Sequence, residues 1–204
     1  MPFSTNYFKK ETIQYITDNF NTNSKILDIG AGSGTYSNYL KPLGYHNLDC
    51  VEVFKNYIDM FDLKSKYNKV LNQDATKLNI DFSEYDLIII GDVLEHISEY
   101  DAKKLLKKLS VTNVIVAVPF ESPQGESYDN MYEIHLQEDL TLVNFFERFE
   151  SFNPFCLRFD YGVFINKNID TVYTESNEFV LPTHYIPFLN ERYPEINFKD
   201  INEI

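Results

Sequence analysis

The stretch KILDIGAGSGTYSNYL, residues 25–40, decides the fold class of this chain. An apolar run, KILDI, leads directly into a turn that holds Gly30, Gly32 and Gly34, and a helical pattern follows. Glycine lets a backbone approach a ligand closely, and the first turn of the following helix presents free N–H groups. The stretch therefore predicts a strand, a ligand-binding turn and a helix, the opening unit of a doubly wound α/β sheet.

Short apolar runs alternate with amphipathic stretches along the rest of the chain. The apolar runs lie at 25–29, 48–53, 69–71, 85–90, 113–118, 155–159 and 162–166, and the helical patterns at 6–20, 34–42, 54–63, 99–110 and 138–149. Only Asp160 and Tyr161 separate the last two runs, too few residues for a parallel crossover, so we expect an antiparallel hairpin at the sheet edge. The pattern predicts an α/β fold with a doubly wound, seven-stranded, mostly parallel sheet whose last strand is antiparallel.

The chain has 204 residues, of which 44% are hydrophobic, and this composition excludes wholesale disorder. No apolar run is long enough to span a membrane, and the amino terminus lacks a secretory signal, so we expect a cytoplasmic protein with no membrane partner. We predict one domain over residues 1–167 and an extension over 168–204 that acts as a lid, an arm or an interface. Aromatic residues in the extension predict packing on the body or a homodimer: Tyr173, Phe179, Tyr185, Phe188 and Tyr193.

The formal charge of −13 argues against a nucleic-acid partner, because the averaged field repels phosphates. One dense basic run has the spacing of a solvated helix face: Lys103, Lys104, Lys107 and Lys108. The two cysteines, Cys50 and Cys156, are too few for a disulfide framework or a cysteine zinc site. We interpret both as buried thiols.

Acidic residues stand at the ends of the first three predicted strands. The glycines follow G-x-G-x-G rather than the dinucleotide pattern G-x-G-x-x-G, and Asp28 precedes them, where it suits a cationic amino-acid group better than a pyrophosphate. Glu52 ends the second strand, where a carboxylate can accept from both hydroxyls of a ribose. Asp74 follows the third strand, in place to meet an adenine amino group, with the Ala75 amide beside it.

Four segments in this order resemble the class I S-adenosylmethionine-dependent methyltransferases: DIGAGSG at 28–34, Glu52, QDA at 73–75 and YDLIIIGDVLEHI at 85–97. The resemblance covers residues 20–166 and implies a Rossmann-like sheet, S-adenosylmethionine as cofactor and a methyl-transfer reaction. By the resemblance, Asp28, Gly30 and Gly32 line the methionine moiety, Glu52 the ribose, Asp74 and Ala75 the adenine, and Gly91 and Asp92 the floor near the methyl group.

The candidate catalytic residues follow the fourth and fifth strands. The segment GDVLEHI, 91–97, brings Glu95 and His96 to the end of the fourth strand, and the polar loop 118–136 carries His135. An alcohol acceptor must lose a proton as it is methylated, and histidine suits that task near neutral pH. His135 is our first candidate for the base and His96 the second. In the alternative interpretation Asp92 caps the short helix, and Glu95 and the histidines are structural. His46 and His184 have no predicted role.

The sequence leaves three functions open. The first is O-methylation of a small-molecule acceptor such as a sugar or a biosynthetic intermediate. The second is a metal-assisted RNA or protein methyltransferase, because the set Asp92, Glu95, His96 and His135 also resembles the small-RNA 3′-end 2′-O-methyltransferases, in which such a set binds a divalent ion. In this chain the first acid of the set is Asp92, whereas those enzymes have Glu at that position. The third is a non-catalytic nucleoside-binding subunit.

Overall fold

The computed structural model describes residues 5–127, 129–168, 170–174, 190–192, 194–195 and 197–200. Within these ranges the helices are α1 (Lys9–Asn19), α2 (Thr35–Leu40), α3 (Lys55–Met60), α4 (Leu63–Lys66), α5 (Glu99–Leu109) and α6 (Leu142–Arg148). The strands are β1 (Ile26–Ile29), β2 (Leu48–Val51), β3 (Lys69–Leu71), β4 (Leu87–Gly91), β5 (Asn113–Pro119), β6 (Asn153–Arg158), β7 (Tyr161–Ile165), β8 (Thr171–Thr174) and β9 (Asn197–Asp200). The predicted α/β class is confirmed.

The strands form one sheet in the order β3-β2-β1-β4-β5-β7-β6-β8-β9. Strands β1 to β5 pair in parallel, and β7 runs antiparallel to both of its neighbours, β5 and β6. This is the doubly wound, mostly parallel sheet that the sequence predicts, with the seventh strand antiparallel. The β1 residue Ile29 pairs with Val51 and with Ile90, so the loops that follow β1, β2 and β4 leave the same edge of the sheet.

The central strands are buried because helices cover both faces of the sheet. Every residue of β1 and β4 is buried, which agrees with their continuous apolar sequences. Two hydrophobic clusters lie on the two sides; one includes Leu27, Ile88 and Phe145, and the other includes Ile26 and Ile89. Neighbouring residues of one strand thus point into opposite cores, as the alternation of side chains along a strand requires.

The antiparallel hairpin is confirmed, but its position and its connection differ from the prediction. Tyr161 is the first residue of β7, so Phe159 and Asp160 form the two-residue connection. The hairpin does not lie at the sheet edge, because β6 also pairs with β8, which pairs with β9. The predicted extension thus adds two short strands to the sheet. The boundary at residue 167 and the homodimer remain predictions.

Several smaller expectations can be compared with the structure. Cys50 and Cys156 are buried free thiols, as predicted. The pattern at 54–63 forms two short helices instead of one, because the chain turns at Asp62, whose φ is 48°. The four lysines of α5 are exposed. Tyr173 packs on Phe155, with ring centroids 5.5 Å apart.

The other aromatic residues named in the extension, and His184, lie outside the described residues. His46 is exposed in the turn before β2, away from the strand ends that carry the candidate site. No helix in the described ranges is both long enough and apolar enough to cross a bilayer.

Candidate functional site

The turn between β1 and α2 brings backbone amide groups to the edge of the sheet. Gly30, Gly32 and Gly34 have φ angles of 76°, 51° and 79°, in the left-handed region that favours glycine. A Cβ on Gly30 would lie 2.2 Å from Cγ2 of Val93, so the close packing of this turn against the loop after β4 also requires glycine. Conformation and space together explain the glycine-rich sequence.

Glu52 follows β2, and its carboxylate is tied to the turn. Oε2 accepts a hydrogen bond from the Gly32 N–H at 2.8 Å, and Oε1 accepts one from the Phe54 N–H at 2.8 Å. Burial raises the pKa of Glu52, and these two backbone hydrogen bonds offset part of that effect. Each carboxylate oxygen has a second lone pair. The carboxylate is therefore oriented by the backbone and can still accept hydrogen bonds from a diol.

Asp74 and Ala75 follow β3. Asp74 accepts hydrogen bonds from the Thr76 N–H at 2.9 Å and from the Thr76 hydroxyl at 2.7 Å, and it pairs with Lys77 at 2.9 Å. Burial alone would raise the pKa of Asp74, but the hydrogen bonds from Thr76 and Lys77 lower it. This carboxylate is therefore ionised and fixed in orientation at neutral pH.

Asp92 follows β4, and its carboxylate contacts β7 and the segment before α1. Its φ is 55°, so this non-glycine residue also adopts the left-handed conformation. Oδ1 accepts a hydrogen bond from the Tyr161 hydroxyl at 2.7 Å, and Oδ2 accepts one from the Thr5 N–H at 3.2 Å. The short 3-10 helix Leu94–His96 has no side-chain cap, so the interpretation of Asp92 as a helix cap is wrong.

These strand ends surround a cavity of about 300 Å³. It is lined by Gly30, Gly32, Val51, Glu52, Val53, Tyr57, Gln73, Asp74, Ala75, Thr76, Gly91, Asp92, Val93, His96, Ile97, Ser98, Asp101, Asn130, Tyr132, Glu133 and Leu136. The cavity therefore collects the predicted residues from all four loops after β1, β2, β3 and β4. This is the edge at which open α/β sheets bind ligands.

Asp28 is the one predicted cofactor-binding residue that does not line the cavity. It is buried within β1, where it accepts a short hydrogen bond from the Tyr67 hydroxyl. Burial raises the pKa of Asp28 to about 6, although the Tyr67 hydrogen bond and the positive charge of Lys9 act in the opposite direction. A contact between Asp28 and a methionine moiety stays a prediction.

Solved structures share this architecture. An S-adenosylmethionine-dependent methyltransferase from Clostridium acetobutylicum ATCC 824 aligns with a TM-score of 0.57 and 14% identity over 76% of this chain and 88% of that chain. Burkholderia thailandensis 1,6-didemethyltoxoflavin-N1-methyltransferase, solved with 1,6-didemethyltoxoflavin and S-adenosylhomocysteine bound, aligns with a TM-score of 0.52 and 16% identity over 70% of each chain. At these identities the similarity concerns the fold.

Sequence comparisons also find methyltransferases. Residues 27–110 match a family model described as a methyltransferase domain. Plasmodium falciparum phosphoethanolamine N-methyltransferase is 27% identical over 131 residues, which are 60% of this chain and 49% of that protein. The chain is thus similar to methyltransferases, both in the domain over residues 27–110 and in its fold. The chain spans about half the length of this curated relative.

Two histidines meet beside the cavity. The rings of His96 and His135 make an edge contact, with centroids 4.6 Å apart. Nδ1 of His96 lies 3.2 Å from the Ile134 carbonyl oxygen, and Nδ1 of His135 makes a short hydrogen bond with the Ser122 carbonyl oxygen. A carbonyl only accepts, so each Nδ1 donates and each Nε2 keeps a lone pair. The two imidazoles are held in the tautomer that a base or a metal ligand needs.

Glu95 completes this cluster behind the cavity wall. Its Oε1 lies 3.8 Å from Nε2 of His96, and its buried Oε2 has no hydrogen-bond partner among the described residues. Burial, with the negative charge of Asp92, raises the pKa of Glu95 well above its usual range. Burial lowers the pKa of His96 to about 4, with a further contribution from His135, and burial also lowers the pKa of His135. Both imidazoles are therefore neutral at pH 7.

The segment Asn130–Leu136 contributes to the wall of the cavity at four positions. The hydroxyl of Tyr57 in α3 donates a hydrogen bond to Oε1 of Glu133 at 2.9 Å, and the Leu136 N–H donates one to the Glu95 carbonyl at 2.7 Å. This segment therefore bridges from the loop after β4 to the helix after β2. These two hydrogen bonds hold the segment against the cavity.

Sequence reasoning did not identify Tyr57 as a site residue. Tyr57 lies on the buried face of α3 and packs on Phe54 and Phe61, with centroid distances of 4.8 and 5.6 Å, so its sequence pattern is that of an ordinary core aromatic. Glu133 is one of several acids in the polar loop 118–136, with nothing in the sequence to distinguish it. Their pairing depends on a contact between residues 76 positions apart.

Proposed function

We propose that this protein is an S-adenosylmethionine-dependent methyltransferase that methylates a hydroxyl oxygen of a small molecule such as a sugar or a biosynthetic intermediate. The observation that carries the proposal is the histidine pair, in which His96 lines the cavity and His135 contacts its ring. An alcohol must lose its proton as the new bond forms, and a neutral imidazole with a free Nε2 is a suitable acceptor for that proton. Such a base contributes roughly 10² to 10⁴-fold to the rate.

In this proposal the cofactor lies across the strand ends, with adenine near β3 and methionine near β4. The proposed contacts are Asp74 and Ala75 for adenine, Glu52 for ribose, Asp28, Gly30 and Gly32 for methionine, and Gly91 and Asp92 for the floor near the methyl group. The support is that all of these residues except Asp28 line one cavity. Alignment of acceptor and methyl group contributes on the order of 7 to 11 kcal/mol.

The residues of the chain would then act as follows. His135 accepts the hydroxyl proton at Nε2, and His96 is the second candidate for this role. Glu95, 3.8 Å from His96, is a positioning residue for that ring. When bound, S-adenosylmethionine supplies a methyl group whose carbon–sulfur bond breaks as the carbon–oxygen bond forms, leaving neutral S-adenosylhomocysteine.

The charge of the cavity favours a small neutral acceptor over a nucleic acid. Five of its lining residues are acids: Glu52, Asp74, Asp92, Asp101 and Glu133. None of the described lining residues is Lys or Arg. A phosphate backbone would be repelled at this wall. The curated relative is named for a nitrogen acceptor, so the turnover assay for this chain includes amines.

A metal-assisted RNA or protein methyltransferase is the second candidate. One observation favours it: Glu95, His96 and His135 each offer a donor atom, and these atoms lie within 4.8 Å of one another. Two imidazoles and a carboxylate fit a divalent transition ion, and the unpartnered Oε2 of Glu95 is consistent with a missing ligand. A bound ion would polarise the acceptor hydroxyl.

The proposal is tested by ligand binding followed by turnover. Thermal unfolding is measured with S-adenosylhomocysteine and with NAD⁺, with and without EDTA, since a ligand at a hundred times its Kd adds about 2.7 kcal/mol. Stabilisation by S-adenosylhomocysteine alone is expected. Labelled S-adenosylmethionine is then offered with neutral sugars, amines and RNA.

Transfer to a neutral hydroxyl after chelation supports the first candidate, whereas activity that EDTA abolishes and Mn²⁺ restores supports the second. Label on an amine would overturn the assignment of an oxygen acceptor. Cofactor binding without transfer to any acceptor would favour a non-catalytic nucleoside-binding subunit.

A further inference from the structure

A buried amide, the side chain of Gln137, binds the turn that carries Glu95 and His96. Only 4% of the surface of Gln137 is exposed. Its Nε2 donates hydrogen bonds to the Leu94 carbonyl at 2.7 Å and to the Ile97 carbonyl at 3.1 Å. These two carbonyls stand at the two ends of the turn. Both donors of the amide are therefore used on the segment that contains His96.

Arg148 in α6 fixes the orientation of this amide. Its Nη1 donates a hydrogen bond to Oε1 of Gln137 at 3.1 Å. Its other nitrogens pair with Asp139 at 2.6 Å and with Glu99 at 3.2 Å. A guanidinium group only donates and a backbone carbonyl only accepts, so the amide oxygen must face Arg148 and the NH₂ group must face the turn.

The backbone at Gln137 binds the same turn. The N–H groups of Leu136 and Gln137 donate to the Glu95 carbonyl at 2.7 and 3.1 Å. Leu136 directly follows His135 in the chain. These hydrogen bonds thus join the turn of His96 to the segment of His135, and the centroids of the two imidazole rings lie 4.6 Å apart.

We propose that Gln137 is a positioning residue of the histidine pair. Gln137 does not line the cavity, so it acts through the turn that it holds. A displacement of about 1 Å caused by a distant substitution can cost about 10²-fold in rate, so the position of His96 relative to His135 matters for proton transfer. The effect on turnover rests on the proposed function, whereas the position of the two rings can be measured without any acceptor.

The test removes the two donors and keeps the shape of the side chain. Gln137→Glu is isosteric and can still accept from Arg148, but its carboxylate would face the two carbonyls of the turn. The full chain is isotopically labelled at its four histidines, and NMR measures the nuclear Overhauser effect between the rings of His96 and His135. This signal should be present in the wild-type chain and lost in Gln137→Glu.

The matched control is Asn166→Asp. The amide of Asn166 donates to the Thr112 carbonyl at 2.8 Å and accepts from the Val114 N–H at 2.8 Å. These contacts lie at the start of β5, on the edge of the sheet opposite to the cavity. The control also replaces an amide donor by a carboxylate, and it should keep the signal between the two rings.

Turnover separates this inference from the proposed function. With an identified acceptor, kcat of Gln137→Glu should fall about 10- to 100-fold, and the Kd of S-adenosylhomocysteine should stay within about twofold, because Gln137 does not line the cavity. Loss of the ring signal without a change in kcat would support the positioning role and overturn the histidine base of the proposed function.

A ring signal that persists in Gln137→Glu overturns the inference, whatever the turnover. An equal loss in Asn166→Asp, or an absent signal in the wild-type chain, also overturns it. If Gln137→Glu does not fold, Gln137→Met, which is uncharged and of similar length, removes the same donors, and the same signal gives the result.

Discussion

Tyr57 and Glu133 are joined by a hydrogen bond of 2.9 Å that connects two walls of the cavity at the strand ends. Tyr57 lies in the helix after β2, and Glu133 lies in the polar loop after β5, so the contact ties the side of the cavity near Glu52 to that loop. Gln124 supports the same segment by donating to the Glu133 carbonyl at 2.8 Å. The contact fixes the position of the segment Asn130–Leu136, which contains four of the lining residues.

Tyr57→Phe should therefore speed the release of S-adenosylhomocysteine. Phenylalanine keeps the packing on Phe54 and Phe61 and removes the hydrogen bond to Glu133. Loss of a hydrogen bond to a charged group is worth roughly 1.5 to 3 kcal/mol, so we expect at least a tenfold faster dissociation in stopped-flow measurements. The control is Tyr45→Phe, which removes a hydrogen bond to the Phe20 carbonyl. An unchanged rate in Tyr57→Phe would show that the contact does not limit release.

Glu52→Gln should weaken cofactor binding through the ribose. The amide can replace only one of the two acceptor oxygens, and its NH₂ group would oppose the N–H of Gly32 or Phe54. We expect S-adenosylhomocysteine affinity to fall by about 1.5 to 3 kcal/mol in calorimetry. Against the 2′-deoxy analogue the loss should be smaller, since one of the partner hydroxyls is absent. Equal losses for the two ligands would contradict the ribose assignment.

The sequence predicted the ligand edge well because the parallel strands fix it. Once β1, β2 and β4 are recognised from their apolar runs, their ends must meet at one edge, and Gly30, Glu52 and Asp92 come together without further information. The conformation of the turn was also predictable, since the glycine spacing corresponds to the positions with positive φ.

The remaining parts depend on contacts that no local pattern encodes. Lys9 resembles any lysine at the start of an amphipathic helix, and only the packing of α1 on the sheet buries it against Tyr36. Asp28 alternates away from the cavity because neighbouring residues of a strand face opposite sides. Strand β8 has only four residues, and its pairing with β6 is set by distant chain segments. These features follow from tertiary structure.

Asp28→Asn should change how stability depends on pH. The native pKa of Asp28 is raised to about 6, above its ordinary value of 3.8, so between these values the native state binds a proton that the unfolded state has lost. Stability of the wild-type chain should therefore fall as pH rises from about 4 to above 6, by up to about 3 kcal/mol relative to Asp28→Asn. Urea unfolding at pH 4 and pH 7 measures the difference. If the unfolding free energies of the wild-type chain and Asp28→Asn differ by the same amount at pH 4 and at pH 7, the raised pKa of Asp28 is contradicted.

His135→Ala should lower turnover with little effect on cofactor binding. His135 does not line the cavity but contacts His96 with a free Nε2, so its proposed role concerns the acceptor proton and not the nucleoside. We expect kcat with the identified acceptor to fall roughly 10² to 10⁴-fold and the Kd of S-adenosylhomocysteine to stay within about twofold. The matched control is His46→Ala, at an exposed histidine in the turn before β2. Wild-type turnover in His135→Ala together with a large loss in His96→Ala would transfer the role of base to His96.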